Sequence, residues 1–501
     1  MMTLAALLLL SAGPARAANF SLVEVHPDAV PFLRLTGAEE LSPSTHLWRV
    51  PTRSLRQLRH AGLVRLAEPE RQLVATWEAT DPLLPDEWWL ATVGATQITA
   101  PGPGIPVTVI DTGLDFSHPE FAGRPDTVGL NPQSVVDTAK DFHGTAVASV
   151  IGAPANGVGM VGVYPQASLY AYDADLSGRL TNAELIRGIE TAAGRGRGVI
   201  NISLGTTLFD RVLQDVVFSA FRRGVLVVAA SGNSGDSGEP YYPANLAHVL
   251  TVAATASNDW PAIFSSSSAG VDLAAPGVGI TAAIPLSYDT AGYSTVDGTS
   301  FSAPMVSGAA ALVWTVRSDL DNTQLFDLLR FSARDIWTKG FDPQTGFGIL
   351  DIPAALARAE PVRDPEEPND DVRLVKPGGL FATGTPPLTS RTKAKASLRA
   401  TLDVTEDPVD LYRIWVPPQR IVTVGAQGSS GVRVRIWKPA TRSVTETGVP
   451  AKRDLAASGT RPIRVANTSK KGAYYYADVR LARGVGNTTY DVSVTTARVT
   501  R

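Results

Sequence analysis

Three short segments each hold one polar reactive group in an otherwise bland run. Val109-Ile110-Asp111-Thr112-Gly113 ends an apolar stretch on a carboxylate, with His118-Pro119-Glu120 just after it. Phe142-His143-Gly144-Thr145 sets an imidazole ahead of Ala146, Val147, Val150 and Ile151, which recur at helical spacing. Gly298-Thr299-Ser300-Phe301-Ser302-Ala303-Pro304 places a hydroxyl where a helix of small residues begins. Taken singly, each has an ordinary explanation: an Asp capping a turn, a His in a core, a Ser at an N-cap. Taken together they supply a hydroxyl nucleophile, an imidazole to accept its proton and a carboxylate to orient the imidazole, the set that acyl transfer needs. A fourth segment, Ala229-Ala230-Ser231-Gly232-Asn233-Ser234-Gly235, carries an amide on a glycine-flanked loop. Such an amide can donate to a developing oxyanion, and losing a donor of that kind costs about 10²–10³ in turnover.

These groups need a rigid frame, and the chain from Ile105 to about Arg358 has the pattern of one. Val107–Ile110, Ser168–Tyr172, Val199–Ile202 and Val225–Ala230 read as buried strands; Phe142–Ile151, Thr181–Ala193 and Phe209–Arg223 read as helices. Val/Ile/Leu-rich strands separated by helices imply an α/β fold, a parallel sheet covered on both faces. Asp111 then lies at the carboxyl end of a strand, where open α/β sheets gather their sites. On either side the pattern changes. Residues 18–80 mix a strand at Leu47–Val50, a short helix at Ser54–His60 and a strand at Leu63–Leu66, a small α+β unit. Residues 359–372 are dense in proline and acid and read as a linker. Residues 373–501 alternate at period two, at Leu411–Val416, Val432–Ile436, Tyr474–Leu481 and Thr488–Val494, and predict an all-β sandwich.

The 501 residues suggest about three folding units. A net charge of -3 argues against nucleic acid as the partner, because no basic excess is present to replace phosphate counterions. Without any cysteine, disulfides and thiolate metal sites are excluded. Leu4–Leu10 is an apolar run followed by Ala15-Arg16-Ala17, so residues 1–17 read as a signal peptide cleaved after Ala17, although the usual positive start is missing. The alternative is a short buried helix. No membrane span is expected once that segment is removed, and secretion follows from it. Gly157-Val158-Gly159-Met160-Val161-Gly162 fits a dinucleotide pattern but follows a helix and leads into a strand, the reverse of what such a site needs. No organic cofactor is expected.

Asp111-Thr112-Gly113, His143-Gly144-Thr145, Ser203-Leu204-Gly205, Gly232-Asn233, Ala274-Ala275-Pro276-Gly277 and Gly298 to Pro304 resemble, in that order, the motifs of the subtilisin family of serine peptidases. The resemblance covers roughly residues 81–355. It implies a subtilisin-like fold and a secreted serine endopeptidase with Ser300 as nucleophile, His143 as general base and Asp111 as orienting acid. Asn233 and the Ser300 N–H would be the oxyanion donors. It also implies polypeptide substrates of broad sequence, bound as a strand between Ser177-Gly178-Arg179-Leu180 and Ser203-Leu204-Gly205, with Ala230, Ser231, Gly232 and Gly205 lining the first side-chain pocket. Tyr241 falls where the family closes that pocket with glycine, which would make it shallow. Structural calcium is implied near Glu120 and Asn156, where a metal-free glycine-rich turn is the alternative.

Residues 18–80 resemble the family's inhibitor-type propeptide, which makes the chain a zymogen with its own N-terminal unit as intramolecular inhibitor; an unprocessed binding module is the alternative. Residues 81–358 would be the catalytic domain. Residues 373–501 resemble the pre-peptidase C-terminal domains of secreted proteases, on Glu367-Pro368-Asn369-Asp370 and Asp410-Leu411-Tyr412-Arg413-Ile414. Two other functions remain open: a binding scaffold on a dead protease, which would have lost a triad or oxyanion residue, and an exopeptidase, which would need a blocked cleft.

Overall fold

The computed structural model describes residues 20–35, 38–69, 80–99, 101–137, 142–175, 178–369, 386–404, 406–428, 431–442, 444, 455–483 and 485–498. The expected signal peptide therefore lies outside the described residues.

The N-terminal unit, up to Trp77, holds strands β1 (Phe20–Val25), β2 (Glu39–Ser42), β3 (Leu47–Pro51) and β4 (Val64–Pro69), with helices α1 (Val30–Leu35) and α2 (Thr52–His60). The strands form one antiparallel sheet in the order β2-β3-β1-β4. Val23, Val25, Trp48 and Val50 meet Ala29, Leu33 and Leu58 in its core. It is the α+β unit that the sequence predicts.

In the second unit, from Glu78 onward, strands β5 (Val107–Asp111), β6 (Thr127–Gly129), β7 (Leu169–Asp173), β8 (Gly198–Ile202), β9 (Val225–Ala230), β10 (Val249–Thr255) and β11 (Leu273–Pro276) form a seven-stranded sheet. The order is β11-β10-β9-β8-β5-β7-β6 and every pairing is parallel. A short antiparallel pair, β12 (Ile280–Ala283) and β13 (Tyr293–Val296), stands apart. The helices of this part are α3 (Trp88–Thr92), α4 (His143–Gly152), α5 (Asn182–Ala193), α6 (Arg211–Arg222), α7 (Thr299–Val316), α8 (Asn322–Ser332) and α9 (Ile352–Ala357).

Alternation along one strand shows how both faces are covered. Ile200 and Ile202 of β8 belong to the cluster with Leu185 and Ile189 of α5 and Leu213 and Val217 of α6. Asn201, between them, points to the other face and accepts the Ser307 hydroxyl of α7 at 2.9 Å. α7 lies across β8 to β11, with α4 packed on it and on β5. Capping sets where the helices begin: Thr181 accepts from Glu184 N–H before α5, Asp210 from Val212 and Leu213 N–H before α6, and Asp321 forms a capping box with Gln324 before α8. α7 has the length and apolarity of a membrane span, yet 83% of that window is buried inside the protein, as a core helix would be.

Among the described residues, eight further strands follow: β14 (Ala396–Asp403), β15 (Val409–Val416), β16 (Arg420–Gly428), β17 (Val432–Trp437), β18 (Leu455–Gly459), β19 (Ile463–Asn467), β20 (Ala473–Leu481) and β21 (Asn487–Arg498). They make two four-stranded antiparallel sheets, β14-β21-β16-β19 and β15-β20-β17-β18. Leu402, Val422, Val424, Val492 and Val494 from one sheet interleave with Ile414, Val434, Ile436 and Val479 from the other. The sandwich belongs to the same compact unit as the parallel sheet. Arg330 of α8 reaches Asp403 of β14 at 3.3 Å, and the ring of His248, just before β10, lies 3.6 Å from Glu406.

Candidate active site

β5 ends on Asp111, whose side chain is 1% exposed. Its Oδ1 accepts the backbone N–H of Thr112 at 2.9 Å and stands 2.7 Å from His143 Nδ1. A carboxylate there fixes the proton on Nδ1 and leaves Nε2 to act as base. His143 is the first residue of α4, and its ring lies 5.8 Å from that of Phe301. The close approach of α4 to the end of β5 depends on Gly144, where a Cβ would stand 2.0 Å from Gly113 O.

α7 begins at Thr299 with Gly298 as its N-cap, so Ser300 is the second helical residue and not the cap. The N–H groups of a first turn have no partner within the helix. The Ser300 hydroxyl donates to Ser203 O at 3.2 Å, and the Ser203 hydroxyl donates to Ser300 O at 2.9 Å. Asn233 Oδ1 accepts both the N–H and the O–H of Thr299, at 3.0 and 2.9 Å. With the oxygen so held, the amide NH2 is left as a donor on an exposed side chain beside the start of α7.

The segments expected to bind substrate divide. Ser203, Leu204 and Gly205 follow β8 and are joined to Ser300 by the two hydroxyl bonds. Ala230 ends β9, Ser231 and Gly232 follow it, and Gly232 N–H donates to Thr299 Oγ1 at 3.3 Å. The Tyr241 ring fills the space between these two segments: a Cβ on Gly205 would meet its Cε1 at 2.7 Å, and one on Gly232 would meet its Cγ at 3.0 Å. Its hydroxyl donates to Gly205 O at 2.8 Å. Gly178 and Arg179 are exposed on a turn closed by a bridge between Asp175 and Leu180; Ser177 lies outside the described residues. His118, the imidazole that follows the first motif, is wholly buried, with Nδ1 accepting Glu120 N–H and Nε2 facing Gly292 O at 2.9 Å.

Around the expected calcium loop, Glu120 Oε1 accepts Met160 N–H and Tyr293 O–H, and Asn156 Oδ1 accepts Val158 N–H. Asp81 Oδ1 takes the N–H groups of Asn156, Gly157 and Val158. The other oxygens, Glu120 Oε2 and Asp81 Oδ2, are buried with no hydrogen-bond partner. Two such oxygens fit a hard cation. Burial pushes the Glu120 carboxyl up to about 7 and that of neighbouring Glu87 up to about 8. Sequence reasoning named Glu120 and missed Asp81 as a partner of this loop, because no motif joins residues so far apart. The same glycine-rich loop is the false dinucleotide pattern, and the N–H groups of Gly157, Val158, Met160 and Val161 are taken by the carboxylates of Asp81, Glu120 and Glu87.

A second acidic group was also missed. Asp364, Glu367, Asp407 and Asp410 each offer a carboxylate oxygen within 4.8 Å of the others. Asp364 is 3% exposed and its Oδ1 has no hydrogen-bond partner. The only sequence signal was the acidity of the stretch read as a linker.

A model of the Subtilase family matches residues 102–348. Subtilisin Savinase of Lederbergia lenta is 37% identical over 271 residues, which are 52% of this chain and 97% of that protein. Subtilisin E of Bacillus subtilis (strain 168) is 35% identical over 274 residues, covering 52% of this chain and 70% of the relative. Among solved structures, that of a lanthipeptide protease is 25% identical with a TM-score of 0.49, covering 56% of this chain and 99% of the other.

Proposed function

Since the chain belongs to the Subtilase family and is a serine endopeptidase of the subtilisin type, we propose that Ser300, His143 and Asp111 carry its chemistry, with Asn233 as oxyanion donor. The observation that carries this is the 2.7 Å contact between Asp111 Oδ1 and His143 Nδ1, with the His143 ring 5.8 Å from that of Phe301, the residue after Ser300. An extended peptide pairing with the segment after β8 takes Ser203 O as an acceptor for its own N–H. That releases the Ser300 hydroxyl, which turns its proton toward His143 Nε2.

Ser300 Oγ then bonds to the scissile carbonyl carbon as its proton passes to Nε2. The negative oxygen formed is met by Asn233 Nδ2–H and the Ser300 N–H at the start of α7. Collapse breaks the C–N bond, and the imidazolium returns its proton to the leaving amine. Water, activated by the same imidazole, hydrolyses the acyl-enzyme. Asp111 holds the ring throughout.

The substrates are proteins of broad sequence with small or medium side chains at the first pocket, because Tyr241 occupies its depth. The enzyme is secreted, residues 18–80 being a propeptide that inhibits it until removed. Residues 81–358 form the catalytic domain, 359–372 a connecting segment and 373–501 a C-terminal domain. Calcium is a structural ion held by Asp81 and Glu120; the Asp364, Glu367, Asp407 and Asp410 group has the donor chemistry for a second ion. When bound, the ion would neutralise buried carboxylates and take no part in the hydrolysis.

The test compares wild type with Ser300→Ala, following casein cleavage and N-terminal shortening of the chain. Wild type is expected to cleave and shorten, and Ser300→Ala to do neither. Cleavage by Ser300→Ala at the wild-type rate would end the assignment.

A further inference from the structure

α4 carries His143 on its first residue, yet it begins without a cap of its own. Phe142, at the N-cap position, makes no side-chain cap and has a φ of 33°, a left-handed conformation unusual for a bulky residue. The first-turn N–H groups of a helix must still be satisfied when buried. Here Asp137, six residues before His143 in the chain and 2% exposed, accepts one of them directly and holds the hydroxyl that accepts another. Its Oδ2 accepts Thr145 N–H at 2.8 Å and the Thr145 hydroxyl at 2.6 Å. Its Oδ1 accepts the Thr112 hydroxyl at 3.1 Å.

Both hydroxyls are thereby fixed as donors to Asp137, and their lone pairs face backbone groups. Thr112 Oγ1 accepts Gly144 N–H at 2.9 Å, and Thr145 Oγ1 accepts Asp115 N–H at 3.0 Å. One carboxylate therefore joins the strand end that carries Asp111 to the helix start that carries His143. We propose that Asp137 is a positioning residue of the catalytic apparatus: it caps α4 from outside the helix and fixes His143 against Asp111.

Two physical terms follow. A negative charge at the amino end of α4 complements the helix dipole. The same charge also acts on the catalytic pair. Burial, with Asp111 adding to it, pushes the Asp137 carboxyl up to about 7, so its charge changes in the range where an imidazole titrates. The charged groups that meet around Asp111 are His143 from α4, Asp137 from the segment before α4, and Asp173 at the end of β7.

The inference rests on the assignment of Asp111 and His143 above. The experiment uses the full-length protein and short peptide anilides, with rates expressed per folded chain. Asp137→Asn keeps the shape but cannot accept at both ends. Its kcat is expected to fall by about 10² with KM little changed, because a small displacement of a catalytic group costs that much. The acid limb of its kcat/KM profile is expected to move to lower pH, since removing a neighbouring negative charge disfavours the imidazolium. A merely structural role would leave that limb in place.

If Asp137→Asn does not fold, Thr112→Ser and Thr112→Val replace it: the serine, which keeps the relay hydroxyl, is expected to retain the wild-type kcat, and the valine to lose it. Wild-type kcat and acid limb in Asp137→Asn, or equal rates in the two Thr112 variants, would overturn the proposal while an inactive Ser300→Ala left the triad standing. An active Ser300→Ala would sink the triad assignment instead.

Discussion

The backbone oxygen of Ser300 accepts the Ser203 hydroxyl at 2.9 Å. The bond is open to it because the residue one turn on is Pro304, which has no N–H to complete the helical ladder. The interior proline of α7 thus turns the carbonyl of the proposed nucleophile into an anchor for the segment proposed to pair with substrate. Asn201 Nδ2 donates to the same Ser203 hydroxyl at 3.0 Å, so the anchor reaches down into β8. In a Ser300→Ala background, which retains the carbonyl and prevents self-digestion, Ser203→Ala is expected to lower unfolding stability by about 1 kcal/mol. Urea unfolding would measure it, and unchanged stability would show that the anchor contributes nothing.

The site and its frame were legible to different depths. β5, β8 and β9 were readable because each is a run of apolar residues buried on both faces. α4 and α7 start within one residue of where His143 and Ser300 predicted, because their first turns carry the motifs. The start of α6 was placed two residues early, at Phe209; Asp210 caps the helix and both Leu208 and Phe209 remain exposed. β10 and β11 were not foreseen as strands, since a loop rather than a helix precedes each of them and the expected alternation breaks there. Asp81 and Asp137 were invisible as site residues. Each acts through hydrogen bonds to backbone distant in sequence, and an isolated acid in a loop carries no signal of such a partner.

Tyr241 makes a prediction about selectivity. Its ring lies between Gly205 and Gly232, the proposed walls of the first side-chain pocket, and its hydroxyl is tied to Gly205 O. Wild type is expected to cleave tetrapeptide anilides faster after Ala than after Phe. Tyr241→Gly is expected to reverse that order, since each buried methylene gained in such a pocket is worth about 1 kcal/mol or more. The ratio of kcat/KM values on the two substrates decides it; a wild-type preference for Phe would mean that the ring moves aside.

The raised carboxyls beside the proposed calcium loop fix the sign of a pH effect. Glu87 is pushed up to about 8 and Glu120 up to about 7, both by burial first. The folded chain therefore keeps protons that the unfolded chain releases. Stability from these groups is full below the ordinary carboxylate range and is lost as pH rises through 7 to 8, by up to about 1.4 kcal/mol per pH unit for each group. In EGTA, Tm of the Ser300→Ala protein is expected to fall between pH 5 and pH 8.5. Added calcium should flatten that slope by giving the ionised oxygens of Glu120 and Asp81 a partner, and Glu120→Gln should flatten it without calcium. An identical slope with and without calcium would remove the ion from this loop.

Arg330 decides whether the β sandwich is a detachable tail or part of the enzyme's folded body. It is 1% exposed and lies 2.8 Å from Asp327, 3.3 Å from Asp403 and 3.4 Å from Asp272. Asp327 is on its own helix, Asp272 lies just before β11, and Asp403 ends the first strand of the sandwich. Two buried acids and a half-buried one around one guanidinium are tolerable only with that cation in place. Burial pushes the Asp272 carboxyl up to about 7 even with Arg330 opposing it. Removing one partner of such a group costs about 3–5 kcal/mol, because the remaining charges stay buried without compensation. Arg330→Ala is therefore expected to lower the stability of the parallel-sheet region and of the sandwich together, as one cooperative transition shifted to lower temperature in calorimetry. A chain ending at residue 358 should show a similar loss, since Arg330 then loses its ion pair with Asp403. Two separate transitions, with the parallel-sheet one unmoved, would make the sandwich an independent appendage.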